Sequence, residues 1–247
     1  MKAKTILVSQ PEPTTENSPY LDIIKNHKVK IDFKPFIKVE GATTKDVRLQ
    51  KIDFSNYTAV IFTSKNAVDN YFRLAEEMRF NVTNEMKYFC QSEAIAYYLQ
   101  RYIVYRKRKI YLGIKDMEDM IPLFKKHPDE KYLLPSSDVL KDDATTVLEA
   151  VGVNWTRAIL YRTVHSDLRF LKDLKYDILV FFTPTGIASL FENFPNFTQN
   201  GTRIAAFGQS TIQAAIERGL EIHIEAPSKE NPSMTMALDN YLKKVNK

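Results

Sequence analysis

The sequence predicts an α/β protein built from two similar domains, each with a parallel sheet between helices. Apolar runs of strand length alternate along the chain with longer segments of helical period. Several of these runs, such as "YTAVIFT" at 57–63, are apolar on both faces, as in parallel strands covered by helices on two sides. A pair of short phrases also occurs twice in the same order. The first two observations predict the fold class, and the third predicts two related units.

The strands follow from apolar or alternating runs. "KTILVS" opens the series, and "KIDFKPFIKVEG" alternates like one extended strand that Gly41 ends. The predicted strands cover 4–9, 30–41, 57–63, 87–90, 108–113, 131–135, 156–165, 176–183, 203–208 and 221–227.

The helices follow from helical spacing of apolar residues and from end signals. Ser18 is a cap with Pro19 in the first turn, and Gly152 closes a later helix. Pro122 falls late in its segment, where it is predicted to kink or stop the helix. The predicted helices cover 18–27, 66–78, 92–102, 116–127, 142–152, 185–194, 210–219 and 233–245.

The repeated phrases predict how the domains are arranged along the chain. "IFTSKNA" precedes "FCQSE" in the first half, and "FFTPTGI" precedes "FGQST" in the second. Two segments resemble long edge strands that bracket the middle of the chain. We therefore expect one discontinuous domain from 1–35 and 167–247, an inserted domain at 40–156, and two connecting strands, 36–39 and 157–166, that run side by side.

Composition limits the classes of protein. The chain has 247 residues, 44% of them hydrophobic, which is enough for packed cores. Cys90 is the single cysteine, so no intramolecular disulfide can form, and a reducing compartment such as the cytoplasm is expected. No apolar stretch approaches the ~20 residues of a membrane span, and the first residues lack the apolar centre of an export signal.

The charge indicates an acidic partner. The formal net charge is +5 and the pI about 9.0, which suits a nucleic acid, an anionic lipid or a polyanionic small molecule. The densest basic run extends from Arg101 to Lys109. That run is either a solvated helix end and edge strand or a nucleic-acid patch.

Hydroxyl and amide side chains follow five of the predicted strands. Ligands of parallel sheets bind beyond the carboxyl ends of the strands, where free N–H groups of the next helix favour an anion. Ser and Thr are also the ordinary helix caps, so each turn alone has a structural explanation. The turns are Thr63–Asn66, Cys90–Glu93, Pro135–Ser137, Thr183–Gly186 and Gly208–Thr211.

Other chemistry lacks its motifs. The sequence has no G-x-x-x-x-G-K-[ST], G-x-G-x-x-G or G-x-S-x-G pattern. The histidines are scattered without metal-ligand spacing, and Cys90 ends an apolar strand as a small buried residue would. We therefore expect neither a metal nor a cofactor.

The sequence resembles the uroporphyrinogen-III synthase family. The resemblance lies in "IFTSKNAV", "FFTPTGI", "AAFGQSTIQAAIERGLEIHIEAPS" and "AILYRTV", and it extends in order over essentially the whole chain. It implies two α/β domains joined by a two-stranded ladder. It also implies a cofactor-independent lyase that cyclises hydroxymethylbilane, a linear tetrapyrrole with eight carboxylates, with loss of water and inversion of the last pyrrole ring.

The resemblance also implies site residues. Tyr161 matches a tyrosine proposed to assist departure of the hydroxymethyl oxygen, and we expect its phenol at the mouth of a cleft. Lys141 is a cation close to the fourth family turn. Residues expected to contact the substrate are Thr63, Ser64, Asn66, Ser92, Ser136, Ser137, Thr183, Thr185, Gly186, Gln209, Ser210 and Thr211.

Two departures from the family pattern keep alternatives open. Gln10 stands where the family has an arginine, and Glu93 stands where it has a small hydroxyl residue. A carboxylate there repels a polyanion unless it turns toward Lys65 or Arg101. One alternative is a non-catalytic protein of the same fold that binds an anion or a tetrapyrrole, and another is a nucleic-acid-binding protein. We expect a monomer with a small-molecule polycarboxylate substrate and no nucleic-acid or membrane partner.

Overall fold

Two compact units make up the chain. The computed structural model describes residues 2–104, 106, 108–139, 142–171 and 174–246. Unit 1 contains residues 1–38 and 164–247, and unit 2 contains residues 39–163. None of the helices formed by these described residues is long and apolar enough to cross a membrane.

Unit 1 has a five-stranded parallel sheet in the order β11-β10-β9-β1-β2. Its strands are β1 (Thr5–Val8), β2 (Lys30–Phe33), β9 (Ile178–Phe181), β10 (Arg203–Phe207) and β11 (Ile222–Ala226). Its helices are α1 (Pro19–His27), α7 (Pro184–Asn193), α8 (Gln209–Glu217) and α9 (Met234–Val245).

Both faces of the unit 1 sheet are covered, and its central strands β1 and β9 are buried almost throughout. Ile6 and Val8 pack with α1 and α9 in one cluster, which includes Leu238. Leu7, one residue out of phase, packs with α7 and α8 in the other cluster, which includes Leu190. The fully apolar β9, buried at all four positions, lies at the centre of the sheet.

Unit 2 has a six-stranded sheet in the order β3-β8-β7-β4-β5-β6. The pairs from β8 to β6 are parallel. Its strands are β3 (Ile37–Gly41), β4 (Ala59–Phe62), β5 (Lys87–Cys90), β6 (Ile110–Leu112), β7 (Lys131–Ser137) and β8 (Asn154–His165). Its helices are α2 (Thr44–Leu49), α3 (Lys65–Glu77), α4 (Glu93–Leu99), α5 (Ile121–Lys126) and α6 (Asp142–Val151).

The unit 2 sheet is also covered on both faces. Val60 and Phe62 lie in a cluster with the buried side of α3 and α4. Ile61 lies in the opposite cluster with residues of α5 and α6, among them Phe124. The chain enters and leaves unit 2 inside β3 and β8, which are neighbours in this sheet.

The two sheets share one strand order, but the chain begins each sheet at a different strand of that order. The order β2-β1-β9-β10-β11 in unit 1 corresponds to β8-β7-β4-β5-β6 in unit 2. The repeated phrases end β4 and β5 in one unit and β9 and β10 in the other, which are equivalent positions. The predicted α/β class with two similar parallel sheets is confirmed, and this shared order explains the repetition in the sequence.

The predicted strand 30–41 is wrong as a single element. It consists of β2 in the sheet of unit 1 and β3 in the sheet of unit 2, with Lys34, Pro35 and Phe36 between them. Pro35 has no backbone N–H and a fixed φ, so it ends the ladder. The alternating pattern extends through the break because Phe36 is buried in the core of unit 1.

Two helix predictions also differ from the structure. The segment predicted at 116–127 is a 3-10 helix at Glu118–Met120 and an α-helix only from Ile121. Pro122 lies in the first turn of this α-helix, where no N–H bond is lost, and not late in it. Helix α2 has no counterpart among the predictions. A capping box between Thr43 and Asp46 begins it, and the letters "TTKD" carried that signal.

A side-chain amide supports the strand that carries Tyr161. Gln50 Nε2 donates to the Ile159 carbonyl oxygen at 2.9 Å, and the Ile159 N–H donates to Gln50 Oε1 at 2.8 Å. The amide thus satisfies both backbone groups of Ile159, as a neighbouring strand does. This pair fixes β8 immediately before its irregular segment.

We expect Gln50→Ala to lower the free energy of unfolding by about 1–3 kcal/mol, because both backbone groups of Ile159 lose their partner. Urea denaturation of the full chain measures this change. Gln100→Ala is the control, since Gln100 is exposed after α4 and its side chain makes no hydrogen bond among the described residues. Equal midpoints for the two variants would contradict the supporting role of Gln50.

Candidate functional site

Each sheet has one place where the chain leaves two neighbouring strands in opposite directions. In unit 1 these strands are β9 and β1, and in unit 2 they are β4 and β7. Ligands of doubly wound sheets bind beyond the carboxyl ends of such strand pairs. The turns after these four strands are therefore the first candidates for a site.

The turn after β4 begins α3. Ser64 is the N-cap, and its Oγ accepts a hydrogen bond from the Ala67 N–H at 3.1 Å. Thr63 is half-buried and Asn66 is exposed. Of the three predicted contact residues in this turn, Ser64 is the one whose side chain reaches another part of the unit.

Tyr161 meets Ser64 because β8 carries a bulge. Ser136 pairs with Ile159, but Ser137 pairs with Tyr161, so Leu160 is an extra residue in the ladder. Leu160 and Tyr161 consequently lie in the same buried cluster, although they are consecutive. The Tyr161 hydroxyl lies 2.9 Å from Ser64 Oγ.

Burial dominates the environment of the Tyr161 phenol. The residue is 8% exposed, and burial raises its pKa. Hydrogen bonds from the Ser64 hydroxyl and the Ser137 N–H lower the pKa again in part, because they stabilise the phenolate. The phenol is therefore protonated at neutral pH.

The serines after "LLP" lie inside β7 and not at a helix start. Ser136 is 1% exposed, and its Oγ donates to the Ser137 carbonyl oxygen at 3.0 Å. Ser137 Oγ accepts from the Val139 N–H at 3.0 Å and lies 3.1 Å from Asp138 Oδ1. Both hydroxyls are thus engaged within the end of the strand, which extends two residues beyond the predicted strand 131–135.

Arg157 holds this end of β7. Its Nε donates to Ser136 Oγ at 2.9 Å, and its Nη2 donates to the carbonyl oxygens of Ser137 at 2.8 Å and Asp138 at 2.7 Å. Sequence reasoning missed this residue. The sequence did carry one signal for it: a charged side chain in the otherwise mostly apolar "WTRAILY", three residues after the start of β8.

The turn after β5 is more open. Ser92 is the N-cap of α4 but makes no side-chain cap hydrogen bond, and Glu93 is exposed. Within the described part of the chain, Glu93 forms no ion pair with Lys65 or Arg101. These two cations lie instead over the ring of Tyr98, at 5.3 Å and 4.8 Å.

In unit 1 the turn after β9 repeats the arrangement at Ser64. Thr183 is the N-cap of α7, and its Oγ1 accepts from the Gly186 N–H at 3.0 Å. A Cβ on Gly186 would lie 3.3 Å from that oxygen, so the turn is closely packed. Thr185 is half-buried.

The two strands beside β9 contribute exposed amides and a hydroxyl. After β10, Gly208 has φ 86°, a conformation that favours glycine, and Gln209 and Ser210 are both exposed. Thr211 is only 1% exposed, which separates it from the other predicted contact residues of this turn. Gln10 is exposed after β1.

The remaining predicted features lie partly outside the described residues. Lys141 and Lys107 are among the residues that the structure does not describe. In the basic run, Lys109 pairs with Glu85 at 2.6 Å. Within the described ranges, no group of three or more His, Cys, Asp or Glu side chains could hold a metal ion.

A family model matches most of the chain. The model described as uroporphyrinogen-III synthase HemD matches residues 19–236, which include every predicted site residue. No curated protein sequence matches the chain.

Solved structures share the fold. A uroporphyrinogen-III synthetase from Helicobacter pylori is similar with a TM-score of 0.61 at 19% identity, over 98% of this chain and 99% of that one. A mutant uroporphyrinogen III synthase from the extremely thermophilic bacterium Thermus thermophilus gives a TM-score of 0.52 at 13% identity, over 98% of both chains. At these identities the likeness concerns the fold alone.

We expect Ser64→Ala to raise the pKa of Tyr161 further, because it removes a donor that stabilises the phenolate. NMR titration of ring-labelled tyrosine, with the Tyr161 signal assigned by its loss in Tyr161→Phe, measures this pKa.

Ser233→Ala is the matched control for the Ser64 variant. Ser233 is the N-cap of α9 and accepts from the Met236 N–H at 3.2 Å, so both variants lose a cap of the same kind. The control should leave the Tyr161 titration unchanged. A Tyr161 pKa that does not move in Ser64→Ala would show that the Ser64 hydroxyl does not act on the phenol.

Proposed function

This chain belongs to the uroporphyrinogen-III synthase family, and we propose that it cyclises hydroxymethylbilane with loss of water and inversion of the last pyrrole ring. Membership makes the chain an enzyme of tetrapyrrole biosynthesis. The observation that carries the reaction is the 2.9 Å contact between the Tyr161 hydroxyl and Ser64 at the carboxyl ends of the central strands of unit 2. It unites the proposed acid with a turn expected to bind substrate.

Tyr161 is the proposed proton donor. In this step the bond from carbon to the hydroxyl group of the hydroxymethyl substituent breaks, and the Tyr161 proton goes to the departing oxygen, which leaves as water. The electron-rich pyrrole supplies the electrons that stabilise the carbon. Burial keeps the phenol protonated beforehand, and the Ser64 hydroxyl and Ser137 N–H stabilise the phenolate afterwards.

The last pyrrole then attacks the activated carbon. Attack at its substituted position gives a spiro intermediate, whose rearrangement inverts the ring. Closure without inversion needs no enzyme, so geometric control is the task of the protein. A buried, singly oriented phenol supports such control because it protonates only a hydroxyl group that is held beside it.

Carboxylates of the substrate are the proposed ligands of the polar turns. Exposed or half-buried polar groups at these turns, with the free N–H groups of the following helices, supply hydrogen bonds to anions. These groups are Thr63, Asn66, Ser92, Thr185, Gln209 and Ser210. We assign capping to Ser64 and Thr183, and packing to Ser136 and Thr211, because their side chains are engaged or buried.

We further propose a cofactor-independent lyase that acts as a monomer in the cytoplasm. Protonation by a phenol and attack by a pyrrole transfer no electrons to an outside acceptor, so the scheme needs no redox group. Burial raises the pKa of the Cys90 thiol to about 12, so the single cysteine is an inert core residue. Such a cysteine supports a reducing compartment but does not require one.

We expect the purified chain to convert hydroxymethylbilane to the type III isomer, and Tyr161→Phe to lower kcat by roughly 10²–10⁴-fold, the usual contribution of a general acid. Chromatography of the oxidised products separates the type III isomer from the type I isomer of uncatalysed closure. Tyr97→Phe is the control, since Tyr97 is 75% exposed on α4. Full activity in Tyr161→Phe would remove the phenol from the mechanism.

The alternative is a non-catalytic tetrapyrrole-binding protein. The exposed side chain of Glu93 favours this alternative, because it lies at a turn proposed to bind anions. In the described part of the chain, neither Lys65 nor Arg101 forms an ion pair with it. Binding of hydroxymethylbilane with only type I product would support this alternative and overturn the synthase reaction.

A further inference from the structure

We propose that Arg157 binds a carboxylate of the substrate at the carboxyl end of β7, which pairs with the strand that carries Tyr161. The inference rests on the proposed function, because a polycarboxylate substrate supplies the anion. Within that function it assigns a specific charged contact to a residue outside the family resemblance.

The guanidinium is fixed on one side and free on the other. Nε and Nη2 donate to three oxygens at the end of β7, which sets the plane of the group. Nη1 has no hydrogen-bond partner among the described residues, and the side chain is half-buried. A guanidinium fixed in this way presents its remaining N–H groups in one direction, which reduces the entropy lost when an anion binds.

The charge of Arg157 is not balanced locally. All three oxygens that it contacts are neutral, and within the described part of the chain no carboxylate forms an ion pair with it. The nearest acidic residue in the turn, Asp138, offers its backbone carbonyl to Arg157, while its carboxylate lies beside the Ser137 hydroxyl. A partly desolvated cation with only neutral partners favours an anionic ligand.

The position of Arg157 fits the reaction. Ser137 connects the two residues, because it pairs with Tyr161 in the β7–β8 ladder and its carbonyl oxygen accepts from Arg157 Nη2. A carboxylate bound at Nη1 therefore lies at the end of β7 that pairs with Tyr161. A substrate side chain fixed there orients the pyrrole ring that bears it relative to the phenol.

The serines of this turn gain a different role from the one predicted. The Ser136 hydroxyl accepts from Arg157 and donates to the Ser137 carbonyl oxygen, which leaves it no proton for a ligand. Its function is to orient the guanidinium. At the carboxylate site predicted at 136–137, the positive charge thus comes from Arg157 on the neighbouring strand β8.

Steady-state kinetics of Arg157→Gln and Arg157→Lys on the full chain test the proposal. We expect Arg157→Gln to raise KM for hydroxymethylbilane by roughly 10- to 100-fold, the range of a charge-assisted hydrogen bond, with the type III product retained. Arg157→Lys should recover part of this loss because it keeps the charge without the planar fork. The rise of KM with salt should be shallower in Arg157→Gln than in the wild type.

Arg162→Gln is the matched control. Arg162 lies on the same strand, is 47% exposed in its side chain and pairs with Asp46 at 3.6 Å, so the variant loses the same charge without touching β7. Its KM should equal that of the wild type. A role of Arg157 in structure alone predicts instead a lower melting temperature and kcat in both Arg157 variants, with unchanged KM and salt dependence, and that result would overturn the proposal.

A binding measurement separates this proposal from the proposed function. Fluorescence titration with uroporphyrin III, a stable octacarboxylate, needs no turnover. If the wild type yields no type III product but Arg157→Gln still weakens uroporphyrin binding at least tenfold, the synthase reaction fails and the carboxylate site stands. If the wild type makes the type III product and Arg157→Gln alters neither KM nor uroporphyrin binding, the reaction stands and the carboxylate site fails.

Discussion

One irregularity in the β7–β8 ladder determines where the candidate reacting group lies. In regular pairing, Tyr161 would point away from the face that Leu160 covers. The extra residue at Leu160 instead brings both side chains into one cluster and aligns the phenol with Ser64 at the start of α3. The Gln50 amide and the Arg157 guanidinium stabilise the strands on the two sides of this bulge. Bulges near functional sites commonly redirect a side chain in this way.

The shared strand order explains why the two halves resemble each other only in part. The repeated phrases follow β4 and β9, where a helix N-cap is needed in both units, and Ser64 and Thr183 provide it with the same hydrogen bond. The equivalent positions at the carboxyl ends of β7 and β1 have diverged. Ser136 orients a guanidinium, whereas Ser9 is followed by the exposed Gln10. Sequence similarity thus persists where backbone geometry demands a hydroxyl and is lost where the chemistry of the two units differs.

The sequence predicts the parallel sheets because their strands are apolar on both faces, and this pattern depends on local composition. It does not reveal that Pro35 divides one alternating run between two sheets, since Phe36 keeps the pattern apolar on both sides of the break. The partner of Tyr161 is equally hidden, because it depends on a bulge formed by residues of two strands. Arg157 was missed for a related reason. A single charge in a strand is typical of a solvent-facing edge, and only tertiary contacts distinguish such a charge from one that is held by a neighbouring strand.

The proposed site combines a neutral acid, Tyr161, with a cation on the same strand, Arg157, and the two requirements conflict. A guanidinium in contact with a phenol favours the phenolate and lowers its pKa, so the acid would lose its proton too readily. Here burial raises the pKa of Tyr161, and Arg157 contacts the carbonyl oxygen of Ser137, the ladder partner of Tyr161. A substrate carboxylate on Arg157 would offset the charge of the guanidinium before the leaving oxygen takes the proton. The same arrangement would then leave the phenolate with the Ser64 hydroxyl and the Ser137 N–H, two neutral donors that need no reorganisation.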